Sequence, residues 1–200
     1  MKKRLTLSLF AIILTFFGLI QFGNGDSKSI STSSIQSLSQ LSGTSYDIAW
    51  LSQMIEHHAG AIAMARLCMA NCTDLEIKQA AARILSEQIR EAEAMIGWLR
   101  TTYRTEPDPI QRQQMKAEME PMMKGINHHA TTPPNEARSE SGDRSFLECM
   151  IPHHELAALM GRNALTRATG IELRRFAKTQ GDLQSWEVIL YKGWLKTKQI

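Results

Sequence analysis

The sequence predicts an all-α protein, a four-helix bundle made of two duplicated helical hairpins joined by a crossover insertion rich in methionine and histidine. Three observations predict this fold. Residues 47–65 return as residues 143–161, with the same skeleton 96 positions later. Apolar residues recur at helical spacing in both copies, and no stretch alternates as a strand would. A helix-start pattern of threonine and, three residues later, glutamate also repeats, at Thr73 and at Thr169.

The N-terminus has the features of a signal peptide over residues 1–25. Basic residues at positions 2–4 precede an apolar run over 5–20, which is short for a spanning helix, and then the small residues 23–25. We therefore expect export to the periplasm or the extracellular space, and a mature form that is not embedded in the membrane. Without its three leading basic residues the chain has 20 basic and 20 acidic residues. This balance predicts no nucleic-acid partner.

The rest of the chain divides into an arm and a bundle. Residues 26–43 are rich in serine and predict a flexible arm. Residues 44–200 predict the four-helix bundle, in which hairpin 1 covers 44–103 and hairpin 2 covers 143–200. Each hairpin has one apolar face that it cannot cover alone, so packing the two together would bury both faces.

The insertion over residues 104–142 is punctuated by prolines. Asp108 followed by Pro109 predicts a helix start, and Pro121 is expected to break that helix. Because the segment is mostly polar, its methionines have little core to fill, and we favour a metal-scavenging arm over a satellite helix packed by methionines. The candidate ligands in the insertion are Met115, Met119, Met122, Met123, His128 and His129.

The two repeated motifs each combine a histidine pair with flanking methionines. A helical wheel places His58 on the core face and His57 at its edge, beside Met64. Thioether sulfur suits Cu(I), whereas imidazole serves both copper oxidation states and zinc. Core packing is the alternative for methionines at this spacing. The candidate ligands are Met54, His57, His58 and Met64 in the first copy, and Met150, His153, His154 and Met160 in the second.

The sequence contains three cysteines, two of which are spaced so that they could form a disulfide. Cys68 and Cys72 lie one helical turn apart, and an oxidising compartment would permit a disulfide there. We favour this local staple over a role as extra soft ligands with Met69. Cys149 is interpreted as a small buried residue beside the second motif.

At these residues the chain resembles a known family. The pattern D-x-x-W/F-L-x-x-M-I-x-H-H-x-x-A, present twice over residues 44–199, resembles the family called domain of unknown function 305. The resemblance implies a ferritin-like helical bundle. Together with the exported N-terminus and the Met/His-rich insertion, it implies a copper-binding protein of copper resistance, with ligands at the Met and His positions of the motif.

The leading hypothesis is a non-enzymatic carrier or buffer of Cu(I) and Cu(II), with a copper-efflux system as its delivery partner. A di-iron oxidoreductase would need E-x-x-H motifs, and the sequence contains none. A copper oxidase or reductase is a further alternative. So is a structural or stress-response bundle in which the histidine pairs are polar pins in the core. Zinc is the rival metal, held by histidines with the nearby Asp47 or Glu56.

Overall fold

The computed structural model describes residues 33–130, 138–198 and 200, without the side chains of 124–130 and 138–141. The predicted signal peptide lies outside these residues. The regular secondary structure of the described residues is all helical, with no strand, which confirms the predicted all-α class. Six helices follow one another: α1 (Ser33–Ser39), α2 (Gly43–Asn71), α3 (Leu75–Thr101), α4 (Pro109–Ala130), α5 (Arg138–Arg167) and α6 (Ile171–Thr197).

The two predicted hairpins are α2 with α3 and α5 with α6, and they meet where α2 crosses α5 in antiparallel orientation. Near one end of this pair, the indole nitrogen of Trp50 donates to the carbonyl of Met160 at 3.0 Å. The side chains between the helices form two apolar clusters, one around Trp50 and Met54 and the other around Met64 and Met150. The four-helix bundle therefore has its core along α2 and α5.

The start of α3 differs from the predicted capping box. The N-cap is Asp74, whose carboxylate accepts from the amides of Glu76 and Ile77 at 2.9 and 3.1 Å. Thr73 instead directs its hydroxyl and its amide to the buried carboxylate of Asp143 on α5. The expected role of Thr73 was wrong because a carboxylate from the other hairpin competes for its donors.

The same arrangement recurs at the other end of the bundle with the hairpins exchanged. The amide of Thr169 donates to Asp47 at 3.1 Å, and its hydroxyl donates to the same carboxylate. Asp47 also accepts from the phenol of Tyr103 at 3.0 Å. Here too the predicted cap differs, since the N-cap of α6 is Gly170. Each hairpin thus anchors the start of the other hairpin's second helix.

The crossover insertion forms one long helix that packs against α2 and α5. As predicted, Asp108 starts it, accepting from the amides of Ile110 and Gln111 at 2.8 and 3.2 Å. The expected break at Pro121 was wrong, because α4 continues through it to residue 130. Pro121 is exposed, so water can satisfy the carbonyl that its missing amide leaves without a partner.

Two further helices begin several residues outside the segments predicted for the hairpins. Residues 33–39 of the expected flexible arm form α1, whose Leu38 is buried in the first apolar cluster. The carboxylate of Glu118 accepts from the Ser34 amide at 2.7 Å and so holds the start of this helix. The second helix of this kind is α5, which begins at Arg138, inside the predicted insertion over 104–142.

Candidate metal centre

The centre of the bundle is a pair of stacked histidines, one from each motif. The rings of His57 and His153 lie 3.7 Å apart between centroids and are tilted by 34°. Each ring donates from Nε2 to the other residue's backbone carbonyl, at 2.9 Å from His57 and 3.1 Å from His153. Both side chains have no exposed surface. The expected position of His57 at the edge of the core face was therefore wrong, because α2 is covered by α3, α4 and α5.

A second histidine from each motif lies beside this pair and contacts a glutamate from the second helix of its own hairpin. His58 Nε2 lies 2.9 Å from the Glu91 carboxylate, and His154 Nδ1 lies 3.2 Å from that of Glu187. Gln180 donates to the other oxygen of Glu91 at 2.5 Å. The two histidine–glutamate contacts are related by the same 96-residue offset as the motifs, whereas the Gln180 contact has no counterpart, because the equivalent residue is Ile84. They form a histidine–carboxylate pair on each side of the central stack.

All four imidazoles have at least one nitrogen without a hydrogen-bond partner among the described residues: Nδ1 of His57, His58 and His153, and both nitrogens of His154, whose Nδ1 makes only the 3.2 Å contact with Glu187. A carbonyl oxygen can only accept, so the central rings carry their proton on Nε2 and present a lone pair on Nδ1. Ligand histidines in proteins usually donate their other nitrogen to a carbonyl or a carboxylate in this way. The central rings of His57 and His153 therefore have the tautomer and the second partner that metal ligands need.

Burial keeps the central imidazoles neutral. Desolvation, with the neighbouring His58 ring as a smaller cause, lowers the pKa of His57 from its ordinary 6.5 to about 3. Desolvation and the adjacent His57 ring likewise hold the pKa of His153 well below its usual value. Neutral imidazole is the form that binds a metal, so at neutral pH no proton must leave these rings first.

The motif methionines are buried on either side of the histidines. Met54 and Met160 belong to the first apolar cluster, and Met64 and Met150 belong to the second. Each cluster therefore takes one methionine from each motif. The structure does not gather the four sulfurs in one place, and all four side chains pack in the core.

The crossover helix brings a further methionine to the histidines. Met115 and Met119 are buried, whereas Met122 and Met123 are half-buried. Met119 Sδ and His153 Nε2 lie 3.1 and 3.2 Å from the position that a Cβ on Gly60 would occupy. The expectation of an arm with little core to fill was thus wrong for Met115 and Met119, which pack in the first cluster. The side chains of His128 and His129 lie outside the described residues, and their role as ligands stays a prediction.

The carboxylates considered for zinc have other partners. Asp47 anchors Thr169, and Glu56 forms a 2.7 Å ion pair with Arg112 on α4. Within the described part of the chain, no three side chains of His, Cys, Asp or Glu come together as a ready-made metal site. A site at the stacked histidines would therefore include methionine sulfur or a rearrangement of the rings.

Sequence reasoning did not assign Glu91, Glu187 and Gly60 to the site. The sequence did contain a signal for the two glutamates. Both lie on the core side of amphipathic helices, where charged residues are unusual, and they are separated by the same 96 residues as the motifs. The sequence contained no such signal for Gly60, because the role of this glycine depends on how closely α4 approaches α2.

The cysteines are separate from the histidines. Cys68 and Cys72 form a disulfide at the end of α2, as favoured from their spacing. Cys149 is buried in the second cluster. In the disulfide-bonded state, Cys68 and Cys72 have no thiolate that could bind a metal.

The fold and the centre define a class of protein: a duplicated four-helix bundle with a histidine pair from each repeat meeting at the crossing of its two central helices. The chain belongs to the family Domain of unknown function (DUF305), which matches residues 25–99 and 47–195. This confirms the family resemblance seen in the motifs. No protein with a curated description matches the chain.

Solved structures share the fold. CopM in the Cu(II)-bound form is 27% identical, with a TM-score of 0.62 over 75% of this chain and 95% of CopM. A DUF305 fragment from Deinococcus radiodurans is 23% identical, with a TM-score of 0.63 over 78% of this chain and 99% of the fragment. A family member from Streptomyces coelicolor, thought to be secreted, is 22% identical, with a TM-score of 0.58 over 72% and 88% of the two chains. None of the helices described in this chain is both long and apolar enough to cross a membrane.

Proposed function

We propose that the protein is a non-enzymatic copper carrier or buffer, exported to the periplasm or cell exterior, that contributes to copper resistance. In this proposal Cu(I) is taken by methionine sulfur with imidazole, and Cu(II) by the histidine pairs. Delivery to a copper-efflux system completes the proposed role. The likeness to CopM, which has been solved with Cu(II) bound, supports copper as the cargo.

The observation that carries the proposal is the state of the central imidazoles. His57 and His153 are neutral, each donates Nε2–H to a carbonyl, and each keeps Nδ1 without a partner in the described structure. A buried polar atom without a partner costs about 1–3 kcal/mol. Such a cost is understandable where the atom is a metal ligand.

Titration of residues 26–200 with Cu(I), Cu(II) and Zn(II) against a competing chelator tests this. One variant replaces the insertion methionines Met115, Met119, Met122 and Met123 by leucine. Met95→Leu is the matched control, because Met95 is fully buried but is not a candidate ligand. We expect more than one equivalent of Cu(I) for the wild type and the control, and fewer for the insertion variant. Binding of no copper, or of zinc alone, would sink the proposal.

A structural role for the histidines is the second candidate, favoured by a specific observation. Every one of the four rings already contacts a carbonyl or a carboxylate inside the bundle, as polar pins would. Replacing all four by glutamine separates the roles. A structural role predicts lower stability with unchanged copper uptake, whereas the carrier role predicts a folded variant that binds less copper.

A further inference from the structure

We propose that the outer face of α6 binds a second copy of this chain, and that the two α6 helices pair antiparallel around Trp186. The face is separate from the candidate metal centre. Trp186 is 54% exposed, whereas the next residue, Glu187, contacts His154 and is 4% exposed. The proposal therefore does not depend on copper.

Three large apolar side chains are exposed within two turns of α6. Leu183, Trp186 and Ile189 are 37%, 54% and 60% exposed. Their spacing of three residues places neighbours side by side on the helix surface, and the half-buried Leu190 extends the patch. Contiguous apolar patches on a protein surface mark interaction sites.

The first repeat shows that the fold does not require apolar residues at these positions. At the 96-residue offset of the motifs, Arg90 and Glu93 on α3 are the equivalents of Trp186 and Ile189 on α6, and both are exposed. The two helices hold equivalent places in their hairpins. Packing within one chain therefore does not explain the apolar residues on α6.

The outer face of α6 has the spacing of a coiled-coil seam. Its residues follow one another at alternating intervals of three and four: Thr179, Asp182, Trp186, Ile189, Gly193 and Lys196. All are exposed except Gly193, which is half-buried. A Cβ at Gly193 would meet nothing within 4 Å, so the surface is open there. A helix of another chain can approach closely at this point, and its Trp186 has room beside the glycine.

Charges at the two ends of the seam decide the direction of pairing. Asp182 and Lys196 are 14 residues apart. Parallel pairing would place each of them against its own like charge. Antiparallel pairing brings Asp182 of each copy toward Lys196 of the other, and a twofold axis near Trp186 and Ile189 makes this contact twice. Asp182 also pairs with Lys178, but both side chains are more than 60% exposed, so this pair is weak and can be exchanged.

The size of the surface sets the strength of the association. A single helix face buries less than the roughly 800 Å² per partner of a standard interface. Trp186 lies at its centre, where a buried tryptophan contributes most to binding. We therefore expect a dissociation constant of about 10–100 µM, so that dimers form only at high protein concentration.

Sedimentation equilibrium of metal-free residues 26–200, from about 5 to 500 µM, measures this association. The test variant combines Trp186→Arg with Ile189→Glu. It copies the residues that α3 has at the equivalent positions, so it should fold, and urea unfolding verifies this. We expect its dissociation constant to be about 30-fold higher or more.

The repeat also supplies a matched control for the open position on the seam. Gly193→Gln should weaken the dimer, because it places a bulky polar side chain beside Trp186 of the second copy. Gly97 is the equivalent residue on α3, and a Cβ there also meets nothing within 4 Å. Gly97→Gln should therefore associate as the wild type does.

Charge reversal tests the direction of pairing. Asp182→Lys alone should weaken the dimer, and Asp182→Lys combined with Lys196→Asp should restore it. A wild type that stays monomeric throughout the concentration range, a dimer that survives Trp186→Arg with Ile189→Glu, or a charge-reversed pair that fails to restore association would overturn the proposal. A monomer that instead sediments with phosphatidylglycerol vesicles would also overturn it and assign the face to a lipid surface. None of these results bears on the proposed copper binding.

Discussion

Mild acid should destabilise the metal-free protein, because the histidines that are buried and neutral in the folded state become protonated when the chain unfolds. His57 has a pKa near its ordinary 6.5 when unfolded and about 3 when folded. Between these values the unfolded state binds one more proton than the folded state. The stability that depends on neutral His57 is therefore fully present above about pH 6.5 and is lost as the pH falls toward 3.

The magnitude follows from the width of this window. Each pH unit within it costs about 1.4 kcal/mol per proton, so lowering the pH from 6.5 to 5 should remove about 2 kcal/mol through His57. His153 acts in the same direction, since its pKa is also lowered. Domains are stable by only about 5–15 kcal/mol, so this loss is large.

Urea unfolding of the metal-free protein at several pH values between about 7.5 and 5 measures the effect. A variant with His57 and His153 both replaced by glutamine should show a much flatter profile. Glu87 acts in the opposite sense, because burial and then Glu187 raise its pKa, so Glu87→Gln should steepen the profile slightly. An unfolding free energy that stays constant or rises from pH 6.5 to 5 would refute the reasoning.

Three further changes test the packing around the centre. Asp143→Ala removes the buried acceptor for the Thr73 donors and should lower the unfolding free energy by about 3 kcal/mol in urea titrations; a change near zero would contradict the anchoring role. Replacing Cys68 and Cys72 by alanine should cost at most about 2 kcal/mol and leave copper stoichiometry unchanged, and a lost copper equivalent would show that they are ligands. Met115→Ala should cost about 2–5 kcal/mol and Met115→Leu under about 1.5, by thermal or urea unfolding, whereas equal effects would mean that α4 does not depend on this contact.

The fold was largely predictable because the repeat and the helical period agree. Two copies of one apolar pattern leave few ways to bury both faces, and α2 and α5 meet at the motif that the repeat made visible. The helix starts were less predictable. The local pattern at Thr73 favours a capping box, but a carboxylate 70 residues away takes its donors, and no local rule contains that contact.

The candidate site was predictable in its residues more than in its geometry. The two histidine pairs meet, but their burial depends on α4, whose polar sequence suggested an exposed arm. Of the described side chains of α4, Met115 and Met119 are the buried ones, and a periodicity argument gives too little weight to so narrow an apolar stripe. The closeness of Met119 to His153 depends on a missing side chain at Gly60, which composition cannot reveal.

The exchange of anchors between the hairpins has a consequence for how the chain can be divided. Asp47 holds the helix start at Thr169 and Asp143 holds the one at Thr73, so each half would lose a buried partner if it were produced alone. Two identical hairpins could make the same contacts across a true twofold axis, as isologous dimers do. The present chain has the form of such a dimer joined through α4. Once joined, its two halves are free to differ, and Gly60 and Leu156 show where they have done so.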